Sequence, residues 1–125
     1  MKKTTYELDF LSRAGPYSHL VEAGGFIFVS GMVPVDVANN VRITDETDRA
    51  TEVCLNNIKR ALEHAGSGLD RVVKVTVFLR DMATFDDMNR VYRTFFAERP
   101  PARTCVAVRE LPGNFPIEIE AIAVK

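Results

Sequence analysis

The sequence predicts an α+β fold in which two helices cover one face of a β-sheet. Runs of β-branched and apolar residues at Val72–Leu79 and Ile117–Val124 are typical of central strands. Two longer segments, 45–65 and 84–99, repeat apolar residues at helical spacing. The predicted order β-β-α-β-α-β-β makes both helices crossover connections, which places them together on one face of the sheet.

Short strands are predicted before the first helix, at residues 6–8, 19–23 and 26–30. The last two are separated by a tight Gly24-Gly25 turn and therefore form a β-hairpin. A further turn is indicated by two consecutive asparagines at positions 39–40, with no element assigned around it.

The first helix is predicted over residues 45–65, with an acidic first turn and Gly66 as its stop signal. Cys54 falls in the middle of this helix, where a small buried side chain is expected. The apolar stripe of the helix contains Leu55, Ile58, Leu62 and Ala65.

The second helix is predicted to begin at Thr84, an N-cap residue that Asp87 would complete as a weak capping box. Pro100 ends it, and a strand over 103–108 follows. The apolar face of the helix contains Phe85, Met88, Val91, Tyr92, Phe95 and Phe96. This aromatic stripe is interpreted as core packing, not as a platform for stacking nucleic-acid bases.

The predicted central strands are apolar on both faces, although two helices cover only one. In the strand at 72–79, Val73, Val75, Val77 and Leu79 alternate with Val72, Thr76 and Phe78. The helix-free face therefore needs another cover, and a second copy of the same chain is the simplest one. We expect a homo-oligomer from this pattern.

Composition excludes several classes of protein. The chain has 125 residues, enough for one domain over 1–125, and 46% of them are hydrophobic. A net charge of −1 gives no reason to expect nucleic-acid binding. No apolar run approaches the roughly 18–20 residues that span a bilayer. The first residues lack the apolar segment of a signal peptide, so we expect a cytoplasmic protein.

The cysteines and histidines indicate neither a disulfide framework nor a metal site. Cys54 and Cys105 are the only two cysteines, too few for such a framework in a reducing compartment. His19 and His64 are isolated, and no HxH, HExxH or CxxC spacing occurs. We therefore expect no metal and no cofactor.

One cation and two carboxylates occupy strand positions where chemistry is plausible. Two prolines precede Arg103, which opens an apolar strand, and Cys105 follows one pleat later. The last strand carries Glu118 and Glu120 at alternate positions. If neighbouring strands deliver them, an arginine and a glutamate can hold a small carboxylate substrate together with a water molecule. The alternative is a solvated salt bridge at the edge of a sheet.

Blocks spread over nearly the whole chain resemble the RidA/YjgF family of reactive-intermediate deaminases, once described as L-PSP endoribonucleases or translation inhibitors. The blocks are at residues 15–18, 28–31, 33–34, 73–79, 81–82, 85, 89–92, 95–96, 101–106 and 117–123. The resemblance implies a chorismate-mutase-like α+β fold assembled as a homotrimer around a central barrel, with sites in clefts between subunits. It also implies cofactor-free hydrolysis of enamines and imines, such as 2-aminoacrylate, to 2-keto acids and ammonia.

The resemblance also assigns roles to individual residues. Arg103 matches the catalytic arginine that clamps the substrate carboxylate, and Glu118 matches the glutamate beside the reacting water. Glu120 remains an alternative in which the two glutamates exchange roles and one forms an intersubunit salt bridge.

Four further positions match the lining of the family's cleft: Tyr17, Ser30, Gly31 and Cys105. Tyr17 would donate a hydrogen bond or form a wall, and Ser30 would bind substrate or only stabilise a turn. Cys105 is interpreted as a lining thiol, or as the source of a backbone carbonyl that orients water, in preference to a nucleophile.

Two departures from the family pattern fall near the expected cleft and affect the choice of substrate. Met32 occupies a position where many of these deaminases have glutamine, and the segment 97–100 is short. Members acting on pyrimidine-breakdown or aminomuconate-type intermediates therefore remain an alternative.

Two other functions are alternatives to deamination. The same arginine cleft is compatible with a non-catalytic keto-acid-binding or chaperone-like trimer. An endoribonuclease or translation inhibitor is disfavoured, because the near-neutral chain has no basic patch for phosphate-driven binding.

Overall fold

The computed structural model describes residues 2–125 and contains two α-helices and eight strands. The strands are β1 (Thr4–Tyr6), β2 (Leu20–Ala23), β3 (Phe26–Met32), β4 (Val35–Asp36), β5 (Val41–Arg42), β6 (Val72–Leu79), β7 (Ala102–Ala107) and β8 (Ile117–Val124). The helices are α1 (Thr47–His64) and α2 (Phe85–Phe95). Short 3-10 turns lie at Leu69–Arg71, Met82–Thr84 and Pro112–Asn114.

Six strands form one mixed sheet in the order β1-β2-β3-β8-β6-β7. Every neighbouring pair is antiparallel except β6 and β7, which are parallel because α2 connects them as a crossover. The predicted α+β class is confirmed. Strands β4 and β5 form a separate hairpin that the sequence analysis missed, since two-residue strands are too short to show alternation.

Both helices lie on one face of the sheet, as predicted. Helix α1 packs on β3 and β8, and α2 packs beside α1. Cys54 is fully buried inside this layer, which confirms its expected environment. The largest fully buried side chains of the core are Leu20, Ile27, Leu55, Ile58, Leu62, Val75, Val77, Leu79, Met88, Ile117 and Ile119.

The opposite face of the sheet exposes several large apolar side chains in the single chain, next to charged and polar ones. Phe26 and Phe28 on β3 are each 44% exposed, and Val106 on β7 is 39% exposed. Val73 is also exposed. The prediction that it shares a face of the sheet with Val75 is wrong. The register of β6 shifts between Val72 and Lys74, so Val73 leaves the row that contains Val75.

The predicted helix ends need correction. Helix α1 begins at Thr47, two residues after the predicted start, and Glu46 at its N-cap makes no side-chain capping bond. Its end is as predicted: Gly66 takes a positive φ of 83°, and the N–H of Ser67 bonds to the carbonyl of Leu62 at 2.8 Å.

The capping box predicted for α2 is wrong. The hydroxyl of Thr84 donates to the carbonyl of Asp81 and leaves the helix N-terminus uncapped. Asp81 instead caps the preceding 3-10 turn by accepting from the N–H of Ala83 at 2.9 Å. The helix also ends earlier than Pro100, because Phe96 has already left helical geometry with φ −125° and ψ 53°.

Strand β1 is displaced from its predicted position at 6–8 to Thr4–Tyr6. The N–H of Leu8 bonds to the side chain of His19 and not to a neighbouring strand, so the ladder stops at Tyr6. Strand β7 begins and ends one residue earlier than predicted, at Ala102 and Ala107.

Candidate functional site

A cleft of about 520 Å³ opens where β3, β8 and the loop before β2 meet. It is lined by four of the six predicted site residues, namely Tyr17, Ser30, Gly31 and Glu118. The sequence analysis did not identify the two arginines in its walls, Arg13 and Arg42. Tyr17, Ser30, Gly31 and Glu118 are called the glutamate half-site below.

A β-bulge in β3 shapes the floor of this cleft. The pairing of β3 with β8 shifts register between Val29 and Met32, and the two intervening residues are Ser30 and Gly31. The Ser30 N–H bonds to the carbonyl of His19 at 3.0 Å, and its hydroxyl donates to a second carbonyl, that of Ser18, at 2.6 Å. The Ser30 hydroxyl thus stabilises the backbone here and retains only acceptor capacity toward the cleft.

The carboxylate of Glu118 lies directly against the backbone of Gly31. A Cβ atom added to Gly31 would be 2.8 Å from Cδ of Glu118, closer than real Cβ contacts allow. A side chain at position 31 would therefore force the flexible end of Glu118 to move away from its position beside the bulge.

Burial raises the pKa of Glu118, and the negative charge of Glu120 raises it further. Within residues 2–125, the Glu118 carboxylate makes no hydrogen bond and no ion pair. Glu120 lies on the same face of β8 but is exposed. Glu118 is therefore the half-buried carboxylate whose lone pairs remain free for a water molecule or a ligand.

Tyr17 forms an outer wall of the cleft and is 39% exposed. Its ring stands edge-on to the ring of His19, with centroids 6.2 Å apart. Its hydroxyl accepts a long bond of 3.4 Å from the Ala14 N–H and keeps its own proton for donation.

His19 fixes the loop that carries Tyr17, a role that the sequence analysis did not foresee. Its Nδ1 accepts from the N–H of Leu8 at 2.8 Å, and its Nε2 donates to the carbonyl of Ser12 at 2.9 Å. Because Nδ1 is the acceptor, the neutral ring carries its proton on Nε2. An isolated histidine in a sequence carries no signal for such a pair of backbone contacts.

Arg103 lies in a different environment, between β7 and α2. Its Nη1 donates to the side-chain oxygen of Asn89 at 2.6 Å. Its guanidinium carbon is 4.7 Å from the ring centroid of Tyr92 and 5.7 Å from that of Phe85. The guanidinium is thus held in place by a hydrogen bond and two aromatic faces, and within residues 2–125 it has no carboxylate partner.

The expectation that neighbouring strands deliver Arg103 and Glu118 is wrong within one chain. Strand β6 lies between β7 and β8, so the two backbones are separated by about 10 Å across the sheet. Arg103 pairs with Val75 of β6, and Glu118 pairs with Phe78 of β6. Val75 and Phe78 are three positions apart on that strand, and residues an odd number of positions apart lie on opposite faces. Their side chains therefore leave opposite faces of the sheet.

Cys105 lies on the Arg103 side and away from the glutamate half-site. It is partly buried against the core, and this burial raises the pKa of its thiol, while the charge of Arg103 lowers it by a smaller amount. The thiol is therefore protonated near neutral pH and unsuited to nucleophilic attack. Arg103 with Cys105 is called the arginine half-site below.

The two departures from the family pattern lie in different places. Met32 is buried beside the glutamate half-site, in a small void shared with Ser12 and His19. The segment 97–100 does not line that cleft and instead leads from α2 toward the arginine half-site. Only Met32 therefore acts on the surroundings of Glu118 within one chain.

Comparison with known proteins identifies the family. A family model described as Endoribonuclease L-PSP matches residues 8–125. The chain belongs to the RidA/YjgF/L-PSP family. A RutC family protein of Pyrococcus horikoshii is 42% identical over 125 residues, which cover 100% of this chain and 99% of that relative.

Solved structures of RidA/YjgF/L-PSP proteins have the same fold. RidA from the Antarctic bacterium Psychrobacter sp. PAMC 21119 superimposes with a TM-score of 0.91 at 32% identity, covering 98% of this chain and 99% of that one. TdcF of E. coli with bound serine has a TM-score of 0.89 at 34% identity, with 98% of each chain covered. These matches confirm the resemblance found in the sequence.

Residues 2–125 lack two other kinds of feature. No cluster of three or more histidine, cysteine, aspartate or glutamate side chains is arranged to hold a metal ion. In the same residues, neither helix is both long and apolar enough to cross a membrane.

Proposed function

We propose that this protein hydrolyses small enamines and imines of the 2-iminopropanoate and 2-iminobutanoate type, including 2-aminoacrylate, to 2-keto acids and ammonia. The observation that carries the proposal is the division of the matched residues into two half-sites. Asn89 orients the arginine half-site, the carboxylate of Glu118 lies against Gly31, and neither half-site has its chemical partner within residues 2–125. Two copies that join the arginine half-site of one to the glutamate half-site of the other would complete the set.

The exposed sheet face supports such an assembly. Phe26, Phe28 and Val106 lie on the face without helices, and Glu118 leaves the sheet on that same side. Burying this apolar face between copies would remove it from water and bring the edge strand β7 of one subunit toward a neighbour. A closed homotrimer is the assembly that the family resemblance implies, and we propose it here.

Arg103 would bind the carboxylate of the substrate. Its Nη1 donates to Asn89 and to the sulfur of Met88, 3.8 Å away, while Nη2 and Nε make no hydrogen bond within residues 2–125 and can form a bidentate pair with a carboxylate. The hydroxyl of Tyr17 would donate a hydrogen bond to the same ligand. Holding the carboxylate at a fixed point places the imine carbon beside the glutamate half-site, so part of the barrier is removed by positioning.

Glu118 would act on the water molecule. Its raised pKa makes it a stronger base than a solvated carboxylate, and it has no competing hydrogen bond within residues 2–125. Water adds its oxygen to the imine carbon and passes a proton to Glu118, and the nitrogen takes up the electron pair of the C=N bond. Glu118 then returns this proton to nitrogen, which gives a carbinolamine with one hydroxyl and one amino group on the same carbon. Glu118 next takes the proton of that hydroxyl and passes it to the amino group, so that the C–N bond breaks, ammonia leaves and the carbonyl forms.

The activity is tested by generating 2-aminoacrylate with a serine dehydratase and following keto-acid release with a semicarbazide trap. The wild-type protein should accelerate release, and both Arg103→Ala and Glu118→Gln should lose at least about a hundredfold of this acceleration. The proposal fails if release is equally fast with and without the wild-type protein.

The division between subunits is tested by mixing two inactive variants. If each site takes Arg103 from one subunit and Glu118 from another, then co-refolded Arg103→Ala and Glu118→Gln chains form intact sites at about a quarter of their interfaces. Activity should therefore return to about a quarter of the wild-type value. Mixtures as inactive as their components would contradict a shared site.

A non-catalytic keto-acid-binding trimer is the second candidate, supported by a neighbour structure, E. coli TdcF, that contains bound serine. Saturable binding of 2-oxobutyrate without faster hydrolysis of any imine would establish it. The ribonuclease function named in the family description finds no support in a net charge of −1.

A further inference from the structure

A second guanidinium lines the glutamate half-site cleft and has no role in the proposed reaction. Arg42 is the last residue of β5, and its hairpin partner Val35 lines the same cleft. The β4–β5 hairpin therefore brings this arginine to the wall of a cleft whose floor carries Glu118.

The Arg42 guanidinium is fixed from two sides. Its carbon lies 4.5 Å above the ring centroid of Phe115, and this ring is buried. Its Nη2 donates to the carbonyl of Gly113 at 3.2 Å. Gly113 takes a positive φ of 80°, and a Cβ there would lie 2.9 Å from Cδ2 of Phe115, so the turn is built for close packing.

No anion neutralises this guanidinium within residues 2–125. The other arginine of the cleft, Arg13, is already paired with Glu7. Arg42 makes no such pair, and its remaining N–H groups are unused. An arginine held against an aromatic ring, with free donors beside a cleft, is suited to bidentate recognition of a carboxylate.

We propose that Arg42 extends the substrates of the cleft beyond these small imines to imines of dicarboxylic amino acids, whose second carboxylate, distal to the imine, it binds in preference to an apolar chain end of the same length. This inference rests on the proposed function for the position of the reacting end, where Arg103 of another subunit takes the first carboxylate. A second carboxylate placed in this cleft without a cation would be repelled by Glu118, so a fixed guanidinium is the group that such a ligand requires.

Binding of two matched keto acids isolates the contribution of the distal carboxylate. 2-Oxoglutarate and 2-oxopentanoate have the same carbon chain and differ only at the far end. By titration calorimetry, the wild-type protein should bind 2-oxoglutarate about five to ten times more tightly, and added salt should reduce this preference.

Variants of Arg42 assign the preference to this residue. Arg42→Gln should bring the affinity ratio close to one, and Arg42→Lys should retain part of it, because lysine keeps the charge but loses the planar fork. Arg93→Gln, an exposed arginine of α2 that does not line the cleft, is the matched control and should keep the wild-type ratio. Thermal unfolding of each variant checks that the fold is retained.

The outcomes separate the inference from the proposed function. Equal affinities in the wild-type protein, a ratio that survives Arg42→Gln, or no binding of either acid would overturn the role of Arg42. A wild-type protein that prefers 2-oxoglutarate through Arg42 but hydrolyses neither 2-iminoglutarate nor 2-iminopentanoate would retain the inference and refute the deaminase. Hydrolysis of both imines at equal kcat/KM would retain the deaminase and refute the selectivity.

Discussion

The guanidinium of Arg103 donates a hydrogen bond to the side-chain oxygen of Asn89, 2.6 Å away across the gap between β7 and α2. Asn89 therefore orients Arg103 without adding a negative charge that would compete with a substrate carboxylate. A strand residue is positioned in this way by the helix that precedes it in the chain.

Replacing Asn89 should weaken substrate binding. Asn89→Ala removes one hydrogen bond to a charged group, and the KM for the imine should rise about three- to tenfold. Asn89→Asp should raise it further, because a carboxylate at this position would pair with the guanidinium. Steady-state kinetics of imine hydrolysis provide the measurement. Asn56→Ala, on the exposed side of α1, is the control, and a wild-type KM in Asn89→Ala would contradict the positioning role.

Substitution of Gly31 should damage activity more than stability. A methyl group at this position meets the flexible end of Glu118, which can move aside, so Gly31→Ala should lower imine hydrolysis strongly and cost at most about 1 kcal/mol of unfolding free energy. Steady-state kinetics measure the first loss and urea denaturation measures the second. In the double variant with Glu118→Ala the clash is absent, and most of the stability should return. Additive losses in the double variant would show that the two residues do not press on each other.

Stability should depend on pH through Glu118. Its pKa is raised above that of an ordinary glutamate, so the folded protein binds this proton more tightly than the unfolded chain does. The protonated carboxyl therefore contributes to the free energy of unfolding. This contribution is fully present below the pKa that Glu118 has in the unfolded chain, and it is lost as the pH rises through the pKa that Glu118 has in the folded protein. Glu118→Gln avoids that loss and should have a higher Tm than wild type at about pH 8 but not at about pH 4.

Glu120→Gln tests the cause of the raised pKa of Glu118. It removes the charge that adds to the pKa shift of Glu118, so the pH at which wild-type stability declines should move downward. A Tm difference between wild type and Glu118→Gln that is constant over the whole pH range would contradict this account.

Loss of His19 should destabilise the loop that carries Tyr17. His19→Ala removes two hydrogen bonds, to Leu8 and Ser12, and leaves buried backbone groups without partners, at a cost of about 2–3 kcal/mol. Chemical denaturation is again the measurement. His64→Ala is the comparison, since His64 is exposed on α1 and its ring contacts Tyr6 and Phe10 without a hydrogen bond within residues 2–125, so its loss should cost less than about 1 kcal/mol. Equal losses in both variants would remove the special role of His19.

A charge on the uncovered sheet face should prevent assembly. Phe28→Glu places a carboxylate in the face that we propose is buried, and sedimentation equilibrium should then give a mass below three times the 14.0 kDa of the chain. Because the proposed site is shared, imine hydrolysis should fall with the mass. Val37→Glu, at another exposed apolar position, should leave the trimer intact. A wild-type protein that sediments as a monomer would contradict the assembly itself.

Much of the fold follows from local patterns in the chain. The β-branched runs at Val72–Leu79 and Ile117–Val124 are strands with the predicted bounds, because such runs suit a sheet buried on one face and apolar on the other. The helical spacing of α1 and α2 placed both helices correctly to within a few residues. Their ends were less predictable, since capping depends on which hydroxyl or carboxylate reaches the free N–H groups, as Asp81 and Thr84 show.

The sequence alone determined the family and predicted which residues carry the chemistry: Arg103, Glu118 and Tyr17 fall in the blocks that resemble the family. Only the tertiary structure decided where they lie relative to one another. Strand β6 separates β7 from β8, and register decides the face from which each side chain leaves, so Arg103 and Glu118 point away from each other in one chain. Register depends on pairing between strands distant in sequence, which no local pattern encodes.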